Sequence, residues 1–300
     1  MHAQIAFNRP ISKTYRHLGV VAPGFPRSFA PGQFVMLRPP FVADPFLPRA
    51  FSIYRSVPAT DSAASVVEIL YKVLGKGTQC LSRMEPVQDV ELLGPLGNSF
   101  TVRAGVDLAV LVAGGIGVPP VAALAGALAQ SREPRAESRE KRSGSGLSAI
   151  EVFLGGKTAD DILCVEDFET MGADLHIATE DGSKGTRGVI TDLLGLFLEA
   201  KGNSENRRCG NREEPSRPAA QPPSRFCIFT CGPPGMLAAV ARMAEERGIP
   251  CQTSVEANMA CGFGACMGCA IEIRSKGPGP SYKLVCKDGP VFDSRDLVWR

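Results

Sequence analysis

Over the first hundred residues, apolar positions come in short runs that alternate or are β-branched, such as FVMLR (34–38) and VVEILYKV (66–73). Turn formers separate them at Pro31-Gly32, Pro39-Pro40, Gly75-Lys76-Gly77 and Gly94-Pro95. Many short strands at this spacing predict a small β-barrel. Near Asp107 the period changes. LAVLVAGG (108–115) reads as a buried strand and VPPVAALAGALAQ (118–130) as a helix. AIEVFLGG (149–156), DLHIATEDG (174–182) and RFCIFTCGP (225–233) predict further strands. VITDLLGLFLEA (189–200) and GMLAAVARMAEERG (235–248) predict helices. Strands alternating with helices predict a parallel sheet covered on both faces. The last fifty residues differ again, with a cysteine-rich loop, a strand AIEIRS (270–275), a Gly/Pro turn and a strand YKLVC (282–286). The expected fold is therefore multi-domain, β then α/β. A barrel spans 1–103, a parallel α/β unit 104–250 and a small cysteine-bearing unit 251–300.

Two stretches fall outside that pattern. SREPRAESREKRSGSG (131–146) and GNSENRRCGNREEPSRPAAQPPS (202–224) are polar, charged and rich in Pro, Gly or Ser. They cannot bury enough apolar surface to offset the cost of ordering. Flexible surface insertions are expected at about 131–147 and 202–224, and Cys209 inside the second is assigned no role. The uncharged run Leu108–Ala129 is long enough to cross a bilayer, but Gly114-Gly115-Ile116-Gly117 and Pro119-Pro120 interrupt it. A strand, a glycine turn and a helix are expected there instead.

The formal net charge of +2 shows no basic bias and argues against a nucleic-acid face. The start, Met1-His2-Ala3-Gln4, shows no basic segment followed by an apolar run. A reducing cytoplasm is the expected location. Clustered cysteines there serve metals more often than disulfides.

The clearest chemical signal is ACGFGACMGC (260–269). Its spacing is Cys261-x4-Cys266-x2-Cys269, followed by sixteen residues and then Cys286. Plant-type [2Fe–2S] proteins share the C-x4-C-x2-C start and a distant fourth cysteine. Glycines between the thiols let the backbone wrap closely around a cluster. Structural zinc is the rival, but zinc ribbons usually repeat C-x2-C twice, and this segment holds one such pair. A chance grouping of buried cysteines is the bland alternative.

Two glycine turns follow buried strands. LVAGGIGVPP (111–120) opens a helix, where backbone N–H groups can meet a phosphate. TCGPPGM (230–236) is a second such turn on the same side of the sheet, and open parallel sheets bind ligands at the C-terminal ends of their strands. In RAFSIY (49–54), Arg49 has the fork geometry for a phosphate, although an ordinary edge-strand arginine would look the same.

The ordered set PGQF (31–34), RAFSIY, GKGT (75–78), GPLGNSF (94–100), AGGIG, CGPPGM and SVEANMACGFGACMGCAIEI (254–273) resembles the electron-transfer subunits of the NAD-dependent (class 1B) dihydroorotate dehydrogenases, within the ferredoxin–NADP reductase superfamily. The resemblance spans nearly the whole chain outside the two insertions. EANMACGFGACMGC is its specific part. It implies a ferredoxin-reductase-like flavin barrel, an NAD-binding α/β domain and a C-terminal [2Fe–2S] lobe. By resemblance Arg49, Ala50, Phe51, Ser52, Leu70, Tyr71, Lys72, Gly77 and Thr78 bind FAD. Gly114, Gly115, Gly117, Cys231 and Gly232 border NAD, and Cys261, Cys266, Cys269 and Cys286 hold the cluster. A nicotinamide gives two electrons at once as a hydride, the cluster takes one, and the flavin does both.

The implied partner is an FMN-containing catalytic subunit that oxidises dihydroorotate in pyrimidine (UMP) biosynthesis, in a heterotetramer of two of each subunit. Met259, Phe263 and Met267 beside the cysteines are expected to dock that partner or to shield the cluster. Gly155-Gly156-Lys157 stands where an acid would hold an NAD ribose, and a cation there suits a 2′-phosphate instead, while the resemblance implies NADH. A reductase subunit serving a hydrogenase, sulfide or ferredoxin system has the same motifs. A non-catalytic redox- or zinc-sensing protein is the reading from another class. A visible spectrum separates the last of these, because zinc does not absorb.

Overall fold

The computed structural model describes residues 1–40, 47–59, 64–131, 147–208, 226–275 and 277–299. Strands β1 (His2–Pro10), β2 (Tyr15–Ala22), β3 (Phe34–Arg38), β4 (Arg49–Ser52), β5 (Arg55–Pro58), β6 (Ser65–Lys72) and β7 (Asp89–Leu96), with the short helix α1 (Lys76–Ser82), build the first unit. The strands pair antiparallel in the order β4-β3-β7-β1-β2-β6-β5. Residues 49–58 close this sheet on itself. The first half pairs with β3 and the second with β6, and between them Ile53 N–H donates to the Gln33 carbonyl and Tyr54 N–H to the Glu68 carbonyl. Inward positions such as Ile5, Leu18, Val35, Ile53, Ile69 and Leu92 fill the barrel. The GKGT segment, expected as a turn, forms the start of α1.

The second unit is a seven-stranded sheet in the order β11-β10-β9-β8-β12-β13-β16. Its elements are β8 (Leu108–Gly114), α2 (Val118–Ser131), β9 (Ala149–Gly156), α3 (Val165–Thr170), β10 (Asp174–Thr179), β11 (Thr186–Arg187), α4 (Ile190–Arg208), β12 (Phe226–Cys231), α5 (Pro234–Glu246) and β13 (Cys251–Ser254). Every residue of β8 is buried, as a parallel strand covered on both faces requires. One face packs on α2 and α3 and the other on α4 and α5. The Leu108–Ala129 run is a strand, a glycine turn and a helix. No helix among the described residues is long and apolar enough to cross a membrane.

The last unit holds a hairpin of β14 (Ala270–Ile273) and β15 (Ser281–Leu284), the single turn α6 (Val285–Asp288) and β16 (Val291–Asp293). β13 and β16 pair antiparallel at the edge of the large sheet, so the chain leaves the sheet at Ser254 and re-enters it at Val291. The lobe between rests on the barrel. Phe34 and Met36 of β3 share a buried cluster with Cys269, Val285, Cys286 and Phe292. Asn98, in GPLGNSF, fastens it: its side chain donates to the carbonyls of Asp288 (3.1 Å) and Val291 (2.8 Å) and accepts from Val291 N–H (2.9 Å).

Most of the two expected insertions lies outside the described residues, as does Cys209. α4 runs to Arg208, past the expected helix end at 200. Its apolar periodicity stops sooner than its backbone does, which is why sequence placed the boundary early. Cys286 was expected at the end of a strand and instead sits in α6. The Asp288 carboxylate accepts the Leu284 N–H at 2.7 Å, which draws the chain into a turn there.

Candidate functional site

Between the barrel and the large sheet lie two cavities that meet. The first, of about 230 Å³, is lined by Arg49, Ala50, Phe51, Ser52, Leu70, Tyr71, Lys72 and Thr78. Eight of the nine residues expected at FAD are thus gathered from β4, β6 and α1. The ninth, Gly77, lies under Arg49: a Cβ built there would sit 2.8 Å from the Arg49 Nε. The glycine lets the guanidinium lie against the first turn of α1, where backbone N–H groups are also free of helical partners. Arg49 meanwhile donates to the Leu47 carbonyl at 2.7 Å, which holds the fork in place. Tyr71 borders this cavity from within the barrel core, with its hydroxyl donating to the Asn8 Oδ1 at 3.1 Å.

The second cavity, of about 590 Å³, has the size of a small-molecule site. Gly114, Gly115, Gly117 and Gly232 line it, while Cys231 lines the first cavity. The glycines act differently. A Cβ on Gly117 would sit 2.3 Å from the Cys231 carbonyl oxygen, and one on Gly232 would sit 2.9 Å from the Gly114 nitrogen. These two let the turns pack backbone on backbone. Gly115, at φ +53°, has only the Tyr15 hydroxyl near its missing Cβ, at 3.4 Å, and is the one that opens on free space.

Lys157 lines the second cavity, as the GGK segment led us to expect. Glu180, just beyond β10, faces the same space. Glu180 N–H donates to the Gly156 carbonyl (3.0 Å), which brings the two strand ends together. No local motif marks Glu180, since its partner in space lies a whole βα unit away.

Lys72, Ile116 and Glu256 line both cavities. Glu256 is exposed to the cleft, yet protein surrounds it closely enough that desolvation raises its carboxyl above the usual range. It follows β13 on the segment that leads to the cysteines. Val255, Glu256, Ala257 and Met259 of that segment wall the first cavity, and Cys261 comes two residues later, at most about 7 Å along the chain from Met259.

The four cysteines come in two pairs. Cys269 and Cys286 are buried with their sulfurs 3.2 Å apart. Cys261 and Cys266 are on the outer side and hydrogen-bond to each other. Among the described residues no three His, Cys, Asp or Glu converge on a single-ion site. Backbone N–H groups point at the sulfurs. Phe263 N–H chiefly, with those of Cys266 and Ala265, lowers the Cys261 thiol to about 6. Burial, and then Cys269, pushes Cys286 up to about 12, against a hydrogen bond from Gly264 N–H. Cys286 N–H points at the Cys269 sulfur at 3.4 Å. Gly262, at φ +82°, lies where a Cβ would meet Met36 at 2.5 Å, so the loop presses directly on β3.

The flanking apolar residues divide. Met259 is half-buried, packs on the lobe's core and walls the first cavity. Phe263 and Met267 are exposed at 59% and 62%. Of the three, Phe263 and Met267 present an outer face, while Met259 is turned toward the lobe's core and the first cavity.

Comparison with known proteins gives one family. Residues 256–298 match the iron–sulfur cluster binding domain of dihydroorotate dehydrogenase B. The dihydroorotate dehydrogenase B (NAD(+)) electron transfer subunit of Desulforamulus reducens is 33% identical, covering 93% of this chain and 90% of the relative. That of a Geobacillus species (strain WCH70) is 31% identical, covering 97% and 95%. Among solved structures, an NADH-dependent reduced ferredoxin–NADP oxidoreductase superposes with a TM-score of 0.73 at 23% identity, covering 99% of this chain and 90% of that one. A ferredoxin–NADP⁺ reductase from Neisseria gonorrhoeae, with FAD and NADP bound, superposes at 0.56 with 16% identity, covering 83% and 91%. At those identities the likeness concerns the fold.

Two outcomes are expected. Arg49→Ala removes a charge-assisted contact of about 1.5–3 kcal/mol, roughly a ten- to hundredfold loss of FAD affinity in a titration of apoprotein. Gly77→Ala displaces the same guanidinium and weakens FAD in the same direction; unchanged affinity in both would make Arg49 an ordinary edge arginine. Cys266→Ser should lose the iron and sulfide while keeping FAD. Full iron and sulfide content in that variant would remove Cys266 from the ligand set.

Proposed function

The chain belongs to the family of electron transfer subunits of dihydroorotate dehydrogenase B (NAD(+)), and we propose that it carries electrons between NAD(H), FAD and a [2Fe–2S] cluster, to or from the FMN of a dihydroorotate-oxidising catalytic subunit in pyrimidine biosynthesis. The supporting observation is the shared wall. Lys72, Ile116 and Glu256 separate the two cavities, and the Val255–Met259 segment joins the first cavity to the cysteine loop. A hydride donor, a flavin and a one-electron carrier can then lie in a row. Arg49 and the start of α1 hold the pyrophosphate of FAD, the glycine turns after β8 and β12 receive the nicotinamide dinucleotide, and the four cysteines hold the cluster. In the family's physiological direction, electrons run from dihydroorotate to NAD⁺. The proposed location is the cytoplasm, where the thiols stay reduced. The proposed assembly is a heterotetramer of two of each subunit, for which native mass measurement of the complex is the test.

The partner's place is the exposed face beside Cys261. Phe263 and Leu93 of β7, 59% and 43% exposed, line one groove with Met1 that continues from the cysteine loop onto the barrel. Replacing Leu93 and Phe263 together with Asp should break the complex and abolish dihydroorotate-dependent NAD⁺ reduction by the mixed subunits. NADH oxidation by a small artificial acceptor should persist. Co-purification at wild-type stoichiometry with normal coupled activity would put the partner elsewhere.

Glu180 and Lys157 make cofactor choice testable. A carboxylate at 4 Å from a 2′-phosphate opposes it by about 1 kcal/mol even in water. Glu180→Gln should therefore raise the kcat/KM for NADPH relative to NADH by roughly fivefold. Lys157→Ala should shift the ratio the other way. A ratio indifferent to both changes would place the ribose away from these residues. The visible spectrum of the anaerobically purified protein tests the whole reading, since it should show flavin and iron–sulfur absorbance together.

A further inference from the structure

We propose that residues 159–170 form a clasp between the barrel and the large sheet, and that Asp161 within it is a positioning residue for Lys72 at the wall shared by the two cofactor cavities. The proposal rests on the reading of those cavities given above.

The same chemistry occurs twice along this segment. The Asp161 Oδ1 accepts from the Tyr15 hydroxyl at 2.6 Å and from the Lys72 ammonium at 3.1 Å. Asp167, six residues on, accepts from the Tyr54 hydroxyl and the Arg55 guanidinium. In each case a tyrosine and a cation of the barrel converge on one carboxylate of the other unit, and the cation lies over the tyrosine ring, at 4.8 Å for Lys72 and 4.5 Å for Arg55. Tyr15 and Lys72 are direct partners across β2 and β6. Tyr54 and Arg55 lie at the β4–β5 corner that closes the barrel. Two separated anchors fix an angle as well as a distance.

Asp161 does more than Asp167. Its second oxygen accepts the N–H groups of Lys157 (3.0 Å) and Thr158 (3.3 Å), so one carboxylate bridges the units atom by atom. It lines the nicotinamide-side cavity, and Lys72 lines both. The Asp161 side chain is only 12% exposed, which distinguishes this pair from a solvated surface pair. Burial alone would raise the Asp161 carboxyl, but the Tyr15 and Lys72 hydrogen bonds hold it below its usual range. Burial, then Asp161, pushes the Tyr15 hydroxyl up to about 12. At neutral pH the trio is therefore a neutral tyrosine, a carboxylate and an ammonium. Without Asp161 the four-carbon stem of Lys72 is free to swing between the cavities, and its charge next to the flavin cavity is uncompensated.

The test uses the full chain loaded with FAD and cluster, as wild type, Asp161→Asn, Lys72→Met, the double variant and Asp167→Asn. In an anaerobic redox titration Asp161→Asn should raise the flavin potential, because a lone cation stabilises added electrons. Lys72→Met should lower it, and in the double variant the rise from Asp161→Asn should vanish. Stopped-flow reduction by saturating NADH should slow roughly ten- to hundredfold in Asp161→Asn, as misplacement of reacting groups predicts. Asp167→Asn should slow the same step without moving the potential. If Asp161→Asn fails to fold, Tyr15→Phe removes a single hydroxyl from the same carboxylate and should slow the limiting rate with FAD affinity unchanged. A wild-type potential in Asp161→Asn, additive shifts in the double variant, or a wild-type limiting rate in Tyr15→Phe would overturn the proposal. Wild-type protein that binds no FAD would instead overturn the reading of the cavities.

Discussion

The stretch from Ser254 to Cys261 is the constraint around which the molecule is arranged. It leaves the end of β13, forms one wall of the first cavity, contributes Glu256 to both cavities and then delivers a cysteine. Eight residues can span no more than about 28 Å even when extended, and here they also have to turn. The large sheet, the barrel and the lobe must therefore meet along this path. Several otherwise separate features follow from it. Gly262 has no room for a Cβ because the loop presses on Met36 of β3. Asn98 is used up in bonds to the lobe rather than to a ligand. β16 returns to pair with β13, so the path is tied at its start by the strand that follows its lobe.

The local signals were legible in the sequence because local geometry produces them. Cys261-x4-Cys266-x2-Cys269 marks a loop in any context, since a handful of residues and their glycines decide it. The alternation in VVEILYKV and the unbroken apolar run of β8 report how many faces each strand buries. RAFS, LYK and GKGT pointed to one site by resemblance, and the fold does bring them to one cavity. What stayed hidden depends on distance along the chain. Tyr15 and Asp161 are 146 residues apart and Tyr54 and Asp167 113, and nothing periodic connects them. Glu180 belongs with Lys157 only because β9 and β10 run side by side. Met259 and Phe263 are four residues apart and look equivalent on paper. Which one faces the cavity and which faces solvent is settled by the direction of a loop that has no regular period.

Charge is distributed along the electron path in a way that local hydrogen bonding explains. At the cysteine loop the thiolate is favoured by backbone N–H groups, led by that of Phe263. At the junction of the cavities, Lys72 is balanced by Asp161, while desolvation raises the Glu256 carboxyl. A carboxyl raised by desolvation and one held low by hydrogen bonds differ in how the surrounding protein treats the charged form. The two carboxylates of the junction are therefore under opposite influences: hydrogen bonds from Tyr15 and Lys72 favour the Asp161 anion, and desolvation disfavours the Glu256 anion. Both kinds at one wall suit a protein whose task is to pass electrons in pairs on one side and singly on the other.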